Sequence, residues 1–298
     1  MHDPFPSPPP SLVKSTLPWS SALNLTTLPL HIHEILFAWT TYHLIFHFFS
    51  PFLSSRLSPT IYTRLPRRTR IKWDACFTSF VQSCFIVTFA LFVIWKDEER
   101  KQGGWMERIH GYTGSEGAVQ ACVEGYFLWD LVVSVLHFDL LGIGSLMHAM
   151  SALMITTLGF RPFAIYYGMN FILYELSTPF LNIHWFCDKL NLTGSNFQLY
   201  NGLVLLTTFF CSRIIWGNYQ SFNIYRDVWA AVTDEKSEMS LPVWLAFIYC
   251  GCNTVLSMLN IYWFGKMVQA VARRFSPAGS KGKSEKFLKE KEKGGHFE

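Results

Sequence analysis

The chain has 298 residues, half of them hydrophobic and only 15% charged, where an ordinary soluble domain carries charge on about a quarter. With aromatics at 17%, including 27 Phe and 11 Trp, that balance excludes a water-soluble globule and fits helices whose flanks meet lipid headgroups. The net charge of +4 is gathered in one loop and in the C-terminal tail, which reads as a topology signal and not as a nucleic-acid-binding stripe.

Residues 1–28 hold Pro4, Pro6, Pro8, Pro9, Pro10 and Pro18. Prolines at that density exclude an apolar signal helix and predict a disordered lumenal lead-in, so the first membrane segment is expected to act as an uncleaved anchor. A bilayer-spanning helix needs about 20 mostly apolar residues. Seven stretches approach this: 30–53 (a first transmembrane helix within 29–54), 75–95, 119–138, 145–160, 163–181, 199–216 and 243–267. The fourth and fifth are short and also read as one broken helix. The expected fold is an all-α integral membrane protein, a bundle of six or seven transmembrane helices.

Arg56, Arg64, Arg67, Arg68, Arg70 and Lys72 crowd the loop after the first segment, and Lys281, Lys283, Lys286, Lys289, Lys291 and Lys293 crowd the tail at 276–298. Both are expected to be cytoplasmic, which seven spans satisfy with a lumenal N-terminus. The loop 96–118, with Lys96, Arg100, Lys101 and Arg108, runs against that pattern and keeps six spans open. Of two Asn-x-Thr sequons, Asn24-Leu25-Thr26 then faces the lumen and Asn191-Leu192-Thr193 does not. Six of the seven cysteines lie inside apolar stretches and behave as small apolar residues, not as a disulfide framework.

Ionisable groups at membrane depth are functional candidates by default, because each costs several kcal/mol unless it faces a cavity or a partner. His43 and His47 stand one helical turn apart, a spacing that suits two metal ligands, but no third ligand is evident and no metal or cofactor is expected. Glu124 and Asp130 lie in the third segment, His148 opens the fourth, Glu175 sits deep in the fifth and Arg213 in the sixth. A membrane arginine needs an acid, a carbonyl or a headgroup. Asp130 and Glu175 are the acids at comparable depth, so an ion pair that fixes helix packing and a headgroup site both remain open. Pro179 frees a carbonyl one turn earlier, near Glu175, and gathers Ser177, Thr178 and Asn182 around a bend.

Three stretches resemble the TLC-domain family, which includes the ceramide synthases. Gly125-Tyr126-Phe127-Leu128-Trp129-Asp130 is similar to the family's Gly-Tyr-Phe-x-x-Asp. The run Glu175-Leu176-Ser177-Thr178-Pro179-Phe180-Leu181-Asn182-Ile183-His184-Trp185 resembles that of the smaller, non-synthase members, and Arg213-Ile214 with Gly217 a late-domain pattern. Met147 stands where the synthases carry the first of two adjacent histidines, leaving His148 alone. The resemblance implies a TLC domain over 72–273, a central cavity, and a lipid-handling protein of the endoplasmic reticulum that binds, senses or moves a membrane lipid without chemistry of its own. Asp130, His148, Glu175, Pro179, Asn182 and Arg213 are then the expected cavity residues. An acyl-CoA-dependent N-acyltransferase with His148 as base is the alternative, and a cargo receptor or chaperone that binds proteins through its cytoplasmic tail is the third.

Overall fold

The computed structural model describes residues 1–101, 103–233 and 241–275, and no strand occurs among them. The helices in chain order are α1 (Pro10–Leu23), α2 (Leu28–Leu44), α3 (Ser50–Leu57), α4 (Pro59–Tyr62), α5 (Arg67–Lys96), α6 (Glu98–Lys101) and α7 (Trp105–His110). They continue as α8 (Gly114–Leu136), α9 (Phe138–Gly159), α10 (Ile165–Ile172), α11 (Thr178–Lys189), α12 (Asn196–Phe209), α13 (Gly217–Thr233) and α14 (Val243–Phe275). Three irregular turns carry the helical path across junctions: π-helical Ile45–Phe49 between α2 and α3, 3-10 Leu173–Ser177 between α10 and α11, and π-helical Phe210–Trp216 between α12 and α13.

Among the described residues, five stretches are long and apolar enough to cross a membrane: α5, α8, α9, the continuous path Asn196–Thr233 and most of α14. The sequence predicted six or seven. The two that fall short are helical, but His31, His33, Glu34, His43 and His47 dilute the apolar character of α2 and its π turn. The stretch 163–181 is divided by a 3-10 turn and a proline. Large apolar side chains such as Phe37, Phe85, Phe92, Phe222 and Phe247 face outward, as a lipid-facing surface requires.

The prolines of the N-terminal segment do not leave it disordered. Pro9 and Pro10 stand at the start of α1, where a missing N–H costs nothing because it would have no helical partner. Helix α1 packs on α2, Phe5 meets Phe89 edge-on at 6.4 Å, and a His33 ring nitrogen lies 2.7 Å from the Pro6 carbonyl. The charged tail 276–298 lies outside the described residues.

Helix α8 is the centre of the bundle, touched by α2, α5, α9 and α10. Its small residues let the neighbours approach. A Cβ at Gly125 would stand 2.7 Å from the Ala38 side chain and from the Ile35 carbonyl, so α2 rests on backbone there. Lys72 of α5 and Lys266 of α14 border one cavity, which puts the start of α5 and the last part of α14 at one end of the bundle. At the other end, Arg108 Nε donates to Asp227 Oδ2 at 2.6 Å and Tyr167 donates to the same oxygen at 2.5 Å, tying α7 to α10 and α13. The Arg108 guanidinium is raised above its usual range by that hydrogen bond. Nearby, burial opposes ionisation of Asp97, but hydrogen bonds from Thr113 at 2.6 Å and Ser115 at 2.9 Å outweigh it and hold its carboxyl below the usual range.

Candidate functional site

The site begins with the break at Pro179. Proline near the start of α11 cannot continue the hydrogen-bond ladder, and the residues before it tighten into the 3-10 turn Leu173–Ser177. The Thr178 N–H then bonds to the Glu175 carbonyl, which leaves the Tyr174 carbonyl open toward a neighbouring helix. Arg213 fills it. Its Nε donates to Tyr174 O at 2.9 Å and to Ser177 Oγ at 3.1 Å. Nη2 donates to Thr178 Oγ1 at 2.9 Å and Nη1 to Asn260 Oδ1 at 3.2 Å. Gly217 makes this approach possible: a Cβ there would lie 2.4 Å from the Tyr174 hydroxyl.

Arg213 is buried, and its acid is Glu175, with Nη2 to Oε1 at 3.7 Å. Asp130 faces His148 instead, Oδ2 to Nδ1 at 3.9 Å, and the imidazole is held between the rings of Phe127 and Trp263 at centroid distances of 5.9 and 5.7 Å. Asp130, His148, Glu175 and Arg213 therefore gather in one place. They line a vestibule at the end that carries Lys72 and Lys266, together with Ser79, Tyr126 and Thr178. Asn182 stands behind this wall, with its amide donating to Ser79 Oγ at 3.3 Å, and Pro179 shapes the turn without facing the vestibule.

Inward of the vestibule lies a second, narrower cavity that shares His148 and Glu175 with it. Its walls are mainly apolar: Ile86, Val123, Ile155, Ile172 and Leu256, closed at the far end by Phe163 and Gly159. Gln82, Gln120, Tyr249, Asn253 and Asn260 interrupt them. Sequence reasoning missed these, and the vestibule residues Ser79, Lys72 and Lys266. A usable signal existed on α14, where Tyr249, Asn253 and Asn260 recur at helical spacing in an otherwise apolar stretch.

Other intramembrane polar groups are used for packing. Glu124 accepts from the Thr156 hydroxyl and from Thr157 Oγ1, the latter at 2.6 Å, and so joins α8 to α9. His43 and His47 stack with parallel rings 5.8 Å apart, His43 also packing on Trp39, an arrangement of ring contacts and not of ligands converging on a point. A tighter group of metal-type donors is Asp3, His31 and Glu34. There His31 Nδ1 lies 2.9 Å from Glu34 Oε2 and 3.4 Å from Asp3 Oδ2, and Nε2 is 2.6 Å from the Tyr112 hydroxyl, so the donors are engaged with one another.

Comparison with known proteins agrees with this architecture. Residues 72–269 match the model of the TLC domain. The chain is 36% identical over 271 residues to an uncharacterised TLC domain-containing protein of Schizosaccharomyces pombe, covering 91% of this chain and 89% of that one. It is 32% identical over 271 residues to topoisomerase I damage affected protein 4 of Saccharomyces cerevisiae, covering 89% of this chain and 91% of the relative. It is 26% identical over 230 residues to human TLC domain-containing protein 4, covering 76% and 84%.

Proposed function

This chain belongs to the TLC-domain family of membrane proteins, and from that premise we propose that it binds a single membrane lipid, headgroup in the vestibule and apolar chain in the inner cavity. In doing so it senses or moves that lipid and adjusts membrane lipid composition. The observation that carries this reading is the pair of joined cavities, charged in one and apolar in the other, meeting at His148 and Glu175. Each nitrogen of Arg213 already donates to a protein acceptor, and Lys72 and Lys266 at the mouth add two cations for a headgroup phosphate or carboxylate. The basic end faces the cytoplasm by the excess of Lys and Arg there, and the membrane is that of the endoplasmic reticulum, as the family resemblance implies.

Native mass spectrometry of the protein in mild detergent tests this. The wild type should retain a defined lipid, and Lys72→Ala/Lys266→Ala should lose most of it while staying folded. A folded wild type that retains no lipid would remove the proposal.

A second reading, acyl transfer, is favoured by one observation: His148 sits where the two cavities meet, with a carboxylate beside it. It requires product from a labelled acyl-CoA and a long-chain amine, and absence of product with lipid-loaded protein would exclude it. The third possibility, a cargo receptor acting through the tail, concerns residues 276–298 and would be tested by deleting them.

A further inference from the structure

The inner cavity is not a plain hydrocarbon slot. Tyr249, Asn253, Leu256 and Asn260 form one stripe along α14, and all four line it. Asn260 marks the vestibule end, because its Oδ1 accepts from Arg213. Tyr249 marks the far end, where its ring meets Phe163 edge-on at 5.1 Å. These two residues stand eleven positions apart on one helix, which at ~1.5 Å per residue separates them by about 16 Å.

Tyr249 is 1% exposed, and its hydroxyl has no hydrogen-bond partner. Asn253 on the same stripe differs, since its Oδ1 accepts from Tyr225 at 2.8 Å. A buried hydroxyl left unpaired keeps its full desolvation penalty, which packing against Phe163 does nothing to relieve. A phenylalanine would fill the same space without that cost. The cavity wall also offers Gln82 Oε1, on a side chain 1% exposed and likewise unpaired, one helical turn inward of the vestibule residue Ser79. The cavity thus presents open hydrogen-bonding groups at two depths, and the deeper is a phenol that both donates and accepts.

We propose that the inner cavity receives an acyl chain that carries an oxygen function near its far end, held by the Tyr249 hydroxyl. An extended chain advances ~1.2 Å per bond, so about 16 Å corresponds to roughly thirteen bonds from the headgroup carbonyl. The preferred ligand is a mid-to-late-chain hydroxy- or oxo-acyl lipid, distinguished from the saturated chain of the same length. This rests on the lipid-binding reading above and specifies its ligand.

The test is competition for the cavity by three fatty acids: octadecanoic acid, 2-hydroxyoctadecanoic acid and 12-hydroxyoctadecanoic acid. Each displaces a radiolabelled octadecanoic acid from detergent-purified wild type and from Tyr249→Phe. The wild type should bind the 12-hydroxy acid about fivefold to tenfold more tightly than octadecanoic acid, the gain from one new buried hydrogen bond. The 2-hydroxy acid should show no such gain. Tyr249→Phe should bind octadecanoic acid at least as well as wild type and lose the preference for the 12-hydroxy acid. Equal binding of all three acids by wild type would overturn the inference while leaving lipid binding standing, and so would a 12-hydroxy preference that survives Tyr249→Phe. Binding of none of them would remove both readings together.

Discussion

Replacing Arg213 with methionine removes a buried guanidinium while keeping most of its volume, and the cost can be estimated from its contacts. The side chain donates to Tyr174 O, Ser177 Oγ, Thr178 Oγ1 and Asn260 Oδ1 and lies 3.7 Å from Glu175. Two of these acceptors recover easily. The Tyr174 carbonyl still accepts from the Ser177 hydroxyl at 3.2 Å, and the Thr178 hydroxyl can rotate. Asn260 Oδ1 and the Glu175 carboxylate do not recover, and breaking a buried pair by removing one partner costs about 3–5 kcal/mol. In a chain of this size each kcal/mol shifts the melting temperature by roughly 2–4 °C, so Arg213→Met should lower it by about 6–20 °C. The assay is thermal unfolding in mild detergent, read as loss of the monodisperse peak in size-exclusion chromatography. Glu175→Gln/Arg213→Met should recover about 2 kcal/mol, or roughly half the loss, because the unpaired charge is gone while the unmade hydrogen bonds remain. If Arg213→Met unfolds within about 2 °C of wild type, the arginine is not the clamp described here. If the double variant is no better than the single one, Glu175 is not its partner.

Two further outcomes follow from the same geometry. The lowered carboxyl of Asp97 stabilises the fold at pH values above the unfolded-state value of about 3.9 and loses that contribution as pH falls through its lower folded-state value. The melting-temperature gap between wild type and Asp97→Asn should therefore be constant from pH 7 to 5 and shrink below about pH 4, and a gap independent of pH would contradict the assignment. His148→Ala should keep the lipid adduct seen by native mass spectrometry, since the imidazole meets its neighbours through ring contacts at the cavity boundary; loss of the adduct without loss of fold would make His148 a binding residue.

What the sequence revealed and what it hid have a common physical cause. Arg213 and Glu175 stand out in any reading because a charge among apolar residues is expensive, and the expense points to a partner. Which acid partners Arg213 is a matter of helix packing, fixed by the close approach at Gly217 and by the π turn that carries the arginine. The bend at Pro179 was legible, but the carbonyl it leaves for Arg213 is that of Tyr174, because the turn tightens to 3-10 before the proline. The order of the N-terminal segment was hidden because prolines in a polar stretch suggest disorder, whereas Pro9 and Pro10 sit where a helix tolerates them. Gln82, Gln120 and Tyr249 were not singled out, because uncharged polar side chains in membrane helices commonly serve as glue between helices. Only the tertiary structure shows that Gln82 and Tyr249 leave polar atoms unpaired in a cavity.

The same contrast between paired and unpaired groups describes the surroundings of His148. A general base is aimed by a second group at about 2.6–3.2 Å in the reacting complex, a contact that is often longer before substrate binds. Asp130 lies 3.9 Å from His148 Nδ1, outside that range, and the imidazole is positioned by Phe127 and Trp263 instead. The tightly hydrogen-bonded polar cluster of the site is the one around Arg213, and it is spent on joining the 3-10 turn to the π turn and to α14. Lys72 and Lys266 at the mouth rest against the rings of Trp185 and Tyr262, and inside, Tyr249 and Gln82 keep unpaired polar atoms. That distribution, rigid at the waist and unsatisfied along the path a chain would take, is what a binding site for an amphipathic molecule needs.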